Sequence, residues 1–130
     1  MIISDRLLFA VEFLKNQLII DAPYASGNLA LNSIRIQQID GDYHVVIGGE
    51  ENAPYAIYTN EPWINKPGKN PNEGWVERSI EKSVPQIKNI MRGNISQEEY
   101  EKDIATQQLI IKQKLKLHLE NKKKEKDKIG

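Results

Sequence analysis

The 130-residue sequence contains no cysteine, two histidines and no long uncharged apolar run. The absence of cysteine excludes a disulfide framework and a thiolate metal site, and it fits a reducing compartment. The first twenty residues are apolar, but charged residues interrupt them and no small-residue cleavage site follows, so they do not form a signal peptide. No segment approaches the roughly 20 apolar residues of a membrane span. We therefore expect an intracellular protein with no membrane partner.

Residue patterns typical of catalytic or metal sites are also absent from the sequence. His44 and His118 have no second ligand at a metal-binding spacing. Gly68-Lys69 lacks the second glycine and the following Ser or Thr of a phosphate loop. Ser26-Gly27 lacks the flanks of a nucleophile elbow. The sequence predicts no catalytic residue, no metal ligand and no cofactor, and we expect the protein not to be an enzyme.

The charge is balanced overall and divided between the halves. Residues 1–60 hold 3 Lys and Arg against 7 Asp and Glu, whereas residues 61–130 hold 15 against 11. This asymmetry favours head-to-tail contact between copies or an appended basic tail. A solvated surface without a partner is the alternative.

The first twenty residues are predicted to form a helix with Ser4 as its N-cap. Apolar residues at helical spacing make one stripe on it: Leu7, Val11, Leu14 and Leu18. A second stripe, well round the helix, consists of Phe9, Phe13 and Ile20. An outer helix needs only one apolar face, so two stripes indicate cover by the protein's own sheet and by something else. Either the second stripe is an oligomer interface, or the helix lies deep in its own core.

Proline ends this helix, and a hairpin follows. Ala22 precedes Pro23 and is disfavoured in a helix, and Ser26-Gly27 can open a short new helix. The stretch "SIRIQQIDGDYHVVIGG", which begins at Ser33, alternates around Asp40-Gly41, a strong hairpin signal. A two-residue turn pairs Ile36 with Val45 and Ile34 with Ile47. Arg35 and His44 then lie on the opposite, polar face, a second candidate for the oligomer interface.

A third strand is predicted over 53–60, followed by a long loop over 61–75. The loop holds three prolines and three asparagines between 61 and 73, and such loops are often functional. We expect Trp63, Lys66 and Lys69 to contact a neighbouring subunit or the next protein in an assembly. For Trp75 we favour the alternative that it begins the next helix and packs on the sheet.

Two more helices are predicted after the loop. Val76, Ile80, Val84, Ile87 and Met91 form an apolar stripe, Pro85 must kink or divide the helix, and Gly93 ends it. Ser96 and Glu99 form a capping box for the last helix. Its narrow apolar seam consists of Tyr100, Ile104, Ile111 and Leu115.

This last helix either docks on a partner as an arm or packs back on its own domain. We favour the arm. The alternation at 114–119 would also suit an added strand, and the charged end after residue 120 has no apolar period, which predicts a frayed or disordered tail. We therefore expect an α+β domain over 1–93 and a C-terminal helical arm over 94–130. The domain should hold an antiparallel sheet of three or more strands, packed on one face by the N-terminal helix and the helix after the sheet.

Several segments resemble the tail-completion, or head–tail joining, proteins of long-tailed bacteriophages, a family often labelled minor capsid or minor tail protein. These segments are "APYASGNLALNSI", "APYAIYTNE" and "NPNEGWVERSIEKSVPQI", in that order. The first carries the family's Pro, Ser-Gly, Leu and Ser-Ile at Pro23, Ser26, Gly27, Leu29, Ser33 and Ile34. The second carries its Pro-Tyr-Ala strand and acid at Pro54, Tyr55, Ala56, Tyr58 and Glu61. The family's usual Glu-x-Gly-Thr is replaced by "NEPWINKPG". The resemblance covers residues 5–92.

The resemblance implies a structural protein without catalysis. Family members are α/β sandwiches that form a ring at the top of the tail tube. The ring, expected to be a hexamer here, contacts the tail tube protein and the neck or portal-side connector, and the genome passes through its centre. Such a protein would be found in the host cytoplasm during assembly and in the finished virion. The connection at Ser26-Gly27 would then fix the ring-forming face of the sheet relative to the first helix.

Two other classes are open. The lysine-rich C-terminus could make the protein a small nucleic-acid-binding adaptor or regulator, although acids dilute its charge and no aromatic residue is interleaved. The tyrosines of the predicted third strand could instead line the pocket of a small enzyme or antitoxin-like regulator.

Overall fold

The computed structural model describes residues 3–23, 34–48, 59–62 and 67–129. In these ranges the fold is α+β, and the elements in chain order are α1 (Ile3–Asp21), β1 (Ile34–Ile39), β2 (Asp42–Ile47), α2 (Trp75–Arg92) and α3 (Gln97–Ile129). The described part of the sheet has two antiparallel strands. Most of the predicted third strand lies outside the described residues, but its end was predicted wrongly, because Thr59 and Asn60 are helical.

The hairpin has the predicted register. Ile36 pairs with Val45 and Ile34 with Ile47. Asp40 and Gly41 have φ angles of 51° and 85°. Two consecutive positive φ values are the mark of a type I′ turn, whose twist matches that of the flanking strands. Turn chemistry and alternation therefore agree, and together they determine which face of the hairpin meets the helices.

Helix α1 is the centre of the fold. It begins at Ile3, one residue before the predicted N-cap, and ends at Asp21 just before Pro23, as predicted. One side of it packs on the sheet and on the start of α2, in a first hydrophobic cluster of Leu18, Ala22, Ile34 and Trp75. Trp75 is 4% exposed and is the first residue of α2, so the alternative that we favoured for it is confirmed.

Helix α2 packs on α1 through small residues. Its buried side chains are Trp75, Ser79, Ser83 and Ile90, and both serines are 1% exposed. The predicted apolar stripe lies about a quarter-turn away: Val76 and Ile87 pack at the edges of the clusters, while Ile80 and Met91 are 40% and 37% exposed. The serines allow α1 to approach closely, which an apolar-stripe analysis does not detect. Pro85 lies inside α2, which is not divided there.

The link between α2 and α3 follows the predicted capping chemistry. Gly93 has φ 73°, and the amides of Gly93 and Asn94 donate to Ile90 O and Asn89 O, at 3.1 and 2.9 Å, which is a Schellman motif. A Cβ at position 93 would also lie 2.7 Å from the guanidinium carbon of Arg6. At the start of α3, the Glu99 amide donates to Ser96 Oγ at 3.1 Å and the Ser96 amide donates to Glu99 Oε2 at 3.4 Å. The capping box is confirmed.

Helix α3 is longer than expected. It runs 33 residues to Ile129, so the tail after residue 120, which was predicted to be frayed or disordered, is helical, and 114–119 is not a strand. Its first part joins a second hydrophobic cluster made of Ala10, Ile90 and Tyr100. That cluster contains residues from both sides of the boundary that we placed between 93 and 94.

Candidate interaction surfaces

The second stripe of α1 faces α3. Phe9 stacks on Tyr100 with ring centroids 4.2 Å apart and planes inclined by 22°. Phe13 packs against the same cluster, and Ile20 lines a cleft of about 550 Å³ between the three helices. The stripe was correctly interpreted as a sign of a second cover. Within one chain, that cover is the protein's own C-terminal helix.

Polar contacts fix the alignment of α1 and α3. Tyr100 donates to Glu12 Oε2 at 2.9 Å, and Gln107 Nε2 donates to the Phe13 carbonyl at 3.0 Å. Asn16 Nδ2 donates to Gln107 Oε1 at 3.3 Å, and both amides are buried. A buried amide pair disfavours other alignments, because a shifted helix would leave both groups without partners. Burial, and then the neighbouring Glu12 carboxylate, raise the pKa of the Tyr100 hydroxyl.

The first half of α3 is not a free docking arm, because it packs on its own domain. Tyr100 is 4% exposed, and Ile104 packs on the second cluster. Ile111 and Leu115 are half-buried. The alternative, in which the helix packs back on the domain, applies here. Tyr100 contacts Phe9 and Glu12 of α1, and Gln107, two turns further along α3, bonds to α1 further along that helix.

Helix α3 runs in the same direction as α1 and extends beyond it. Tyr100 lies beside Phe9, Gln107 beside Phe13, and Lys114 reaches the Ile20 carbonyl near the end of α1. The 15 residues of α3 after Lys114 therefore extend roughly 22 Å past this contact. Among the described side chains after Leu115, none is buried.

The C-terminus of α1 is stabilised by cations from other helices. Its own last turn contains no basic residue. Lys82 of α2 bonds Asp21 Oδ1 at 3.2 Å, and Lys114 of α3 donates to the Ile20 carbonyl. Positive charge stabilises this end of a helix dipole. Burial lowers the pKa of Lys114. Burial alone would raise the pKa of Asp21, but the hydrogen bonds from Gln17 and Lys82 help to lower it overall.

The polar face of the hairpin holds the other predicted interface residues. Arg35 is half-buried and donates to the Gly48 carbonyl at 2.8 Å, and His44 is exposed beside Gln37. The structure gives Arg35 a role within the hairpin, and an oligomer contact at this face stays a prediction. Among the residues predicted to shape the connection and the turn, Pro23 follows the end of α1 and Asp40 and Gly41 form the turn, as predicted. Ser26, Gly27 and Ser33 lie outside the described residues.

The predicted partner-contact loop is anchored at its base. Asn70 is 6% exposed and donates to the carbonyls of Thr59 and Glu61, both at 2.9 Å, while its Oδ1 accepts from the Asn72 amide. Trp75 Nε1 donates to Thr59 Oγ1 at 2.9 Å. Lys69 is exposed, whereas Trp63 and Lys66 lie outside the described residues. The anchoring residue Asn70 was missed, because one asparagine among several carries no pattern.

Two exposed apolar surfaces remain on the described helices. One is the stripe of α2 that includes Ile80 and Met91. The other is on α3, where Leu109 and Leu117 are 56% and 58% exposed; Leu119, 56% exposed, lies on a different side of that helix. No His, Asp and Glu side chains of the described ranges group together as a metal site. None of the described helices has the length and apolar character to cross a membrane.

No family model, no curated protein and no solved structure matches this chain.

Proposed function

We propose that this protein is a structural component of a phage-like particle, forming a homo-oligomeric ring at the tail top that joins the tail tube to the neck or portal. The observation that carries the proposal is the order of the three quoted segments along the chain. The described fold is compatible with that order: a long helix, a hairpin with its turn at Asp40-Gly41, and a helix that begins at Trp75. The ring would assemble in the host cytoplasm and remain in the virion.

The ring contact proposed from the sequence now needs another location. The Phe9 and Phe13 stripe is covered by α3 in the same chain, whereas the apolar stripe of α2 is partly open. Ile80 and Met91 lie 11 residues apart on one face, with Val84 half-buried between them. We assign the ring contact to this stripe, with the polar hairpin face of Arg35 and His44 as a second contact.

Two matched substitutions test this location. Ile80 and Leu7 are each 40% exposed, and they belong to different helices. Ile80→Asp should abolish the oligomer in light scattering while leaving the unfolding transition nearly unchanged. Leu7→Asp should leave both the oligomer and the unfolding transition nearly unchanged. If both variants assemble like the parent, or if the parent is a monomer at every concentration, the assigned contact is wrong.

The joining role itself is tested in the phage whose genome encodes the protein. Removing its gene should leave complete tails and filled capsids that do not join, seen by electron microscopy. Replacing Trp63, Lys66 and Lys69 together by alanine should produce the same unjoined particles with a folded protein, because this loop is proposed to contact the tail tube or connector. Lys88→Ala, an exposed change on α2, is the control. Normal particles from the gene deletion would exclude the role.

The second candidate is a nucleic-acid-binding adaptor. The observation that favours it is the continuation of α3 to Ile129, which presents exposed lysines along one helix: Lys112, Lys116, Lys123, Lys124 and Lys126. A monomer that shifts a duplex DNA band, with affinity falling steeply as salt rises, would support this candidate. In the ring the same lysines would make only passing contact with the genome.

A further inference from the structure

The outer face of α3 has a symmetric pattern of residues. Leu109, Gln113 and Leu117 follow each other at i, i+4 and i+8, so they share one face that points away from the buried Tyr100 and Gln107. Gln113 is the middle residue of the helix, which runs from Gln97 to Ile129. The two leucines are 56% and 58% exposed and lie four residues on either side of this midpoint.

The charges of α3 are antisymmetric about the same midpoint. Residues 97–105 hold four carboxylates and one lysine, while residues 121–129 hold five lysines and two carboxylates. The lysine of the first segment, Lys102, already lies 3.8 Å from Glu98. The two ends of one helix therefore carry opposite net charge.

We infer that two copies of this chain pair through the outer faces of their α3 helices, antiparallel and centred on Gln113. In this arrangement Leu109 of each copy meets Leu117 of the other, and the acidic end of each helix lies along the basic end of its partner. A parallel pair would place like charges together at both ends. Charge complementarity therefore selects the antiparallel orientation.

This contact is distinct from the proposed ring. An antiparallel pair is isologous and closes at two copies, whereas a ring needs a heterologous contact between different surfaces. The inference does not rest on the proposed function. It is therefore tested in the Ile80→Asp background, in which the ring contact proposed above is removed.

The first test compares two leucines two residues apart in the same helix. Leu117 and Leu119 are 58% and 56% exposed, but they point to opposite sides of α3. By sedimentation at low salt, Leu117→Gln should raise the dimer dissociation constant by at least about tenfold, because each dimer loses two buried leucines. Leu119→Gln should leave it unchanged. Equal effects would mean that association is non-specific, and a monomer in the parent protein would overturn the inference.

The second test reads the orientation. The chain has no cysteine, so an introduced thiol is the only one. In an antiparallel pair centred on Gln113, position 106 lies opposite position 120, and a mixture of Thr106→Cys and Glu120→Cys should form a disulfide dimer on oxidation. Each variant alone should form no disulfide, because its two thiols would be about 21 Å apart in the pair, far beyond disulfide reach. Disulfides within each variant alone would indicate a parallel pair, and none in the mixture would refute the pairing.

Discussion

The two halves of α3 have the same secondary structure and opposite surroundings. The first half places Tyr100 and Gln107 in buried contact with α1. In the second half, past Lys114, no described side chain is buried, and Leu117 and Leu119 are more than half exposed. A helix that is continuous in secondary structure therefore contains one part that belongs to the core and one part that does not.

The difference shows that the two halves are helical for different reasons. Packing of an apolar face supplies most of the stability of a helix in a protein, and this describes the first half. The second half consists mainly of lysine, leucine and glutamate, which have high intrinsic helix propensity. It also extends a helix that has already been nucleated, so each further residue adds a hydrogen bond without a new nucleation step.

The largest effect that would sharpen this comparison is the loss of a core side chain from the first half. Tyr100→Ala should lower the free energy of unfolding by about 3–5 kcal/mol, because it removes the ring that stacks on Phe9 and leaves a cavity beside Ile90. Leu117→Ala, in the second half, should change this free energy by no more than about 0.5 kcal/mol in the dilute monomeric protein. Urea denaturation measures both values. Similar losses from the two variants would break the comparison.

Local signals in the sequence were sufficient where the chemistry is local. Asp40-Gly41 determined the turn, and alternation around it determined the pairing of Ile36 with Val45. Ser96 and Glu99 determined the start of α3, because a capping box involves only four consecutive residues. These features need no knowledge of the rest of the fold.

Signals that depend on long-range packing were incomplete. The stripe of Phe9 and Phe13 indicated a second cover for α1, but periodicity cannot identify which segment supplies it. The seam of α3 shows a gap between Ile104 and Ile111, and Gln107 fills it by bonding to Asn16. That gap was a usable signal, since a polar residue at a seam position indicates a buried polar partner. The lysine-rich composition of the tail suggested disorder, yet it is also a composition that sustains a helix.

A smaller effect should come from the polar contact in the first half. Gln107→Ala leaves the buried Asn16 amide without its partner, which should cost about 1–3 kcal/mol of unfolding free energy. Replacing Asn16 and Gln107 together by leucine should restore much of this loss, because no buried polar group is then left unsatisfied. A double variant as unstable as the single one would show that the Asn16–Gln107 pair contributes more to stability than the mutual satisfaction of two buried amides.

A still smaller effect is expected where the two halves meet, at the end of α1. The pKa of Asp21 is lowered in the folded protein, so its carboxylate stabilises the fold above its ordinary pKa of 3.8 and loses this contribution as the pH falls below it. Asp21→Asn removes the titrating group. The stability advantage of the parent over this variant should therefore be constant above about pH 5 and shrink as the pH falls from there to about 3. A constant difference across that range would contradict the assigned pairing with Lys82.

The smallest thermodynamic effect belongs to the distal part of α3, and hydrogen exchange resolves it. Ending the chain after Asn121 should change the free energy of unfolding by no more than about 0.5 kcal/mol, because the removed residues bury nothing in the described structure.

In the monomeric protein, the amides of Ile104 and Ile111 should exchange slowly, through global unfolding, because they lie on the face that meets α1. Amides beyond Leu117 should exchange by local fraying, with free energies close to zero. If the α3 helices pair as inferred, raising the protein concentration should protect the amides around Gln113 and Leu117. Slow exchange beyond Leu117 in the dilute monomer would show that the two halves of α3 form one cooperative unit, and the comparison would fail.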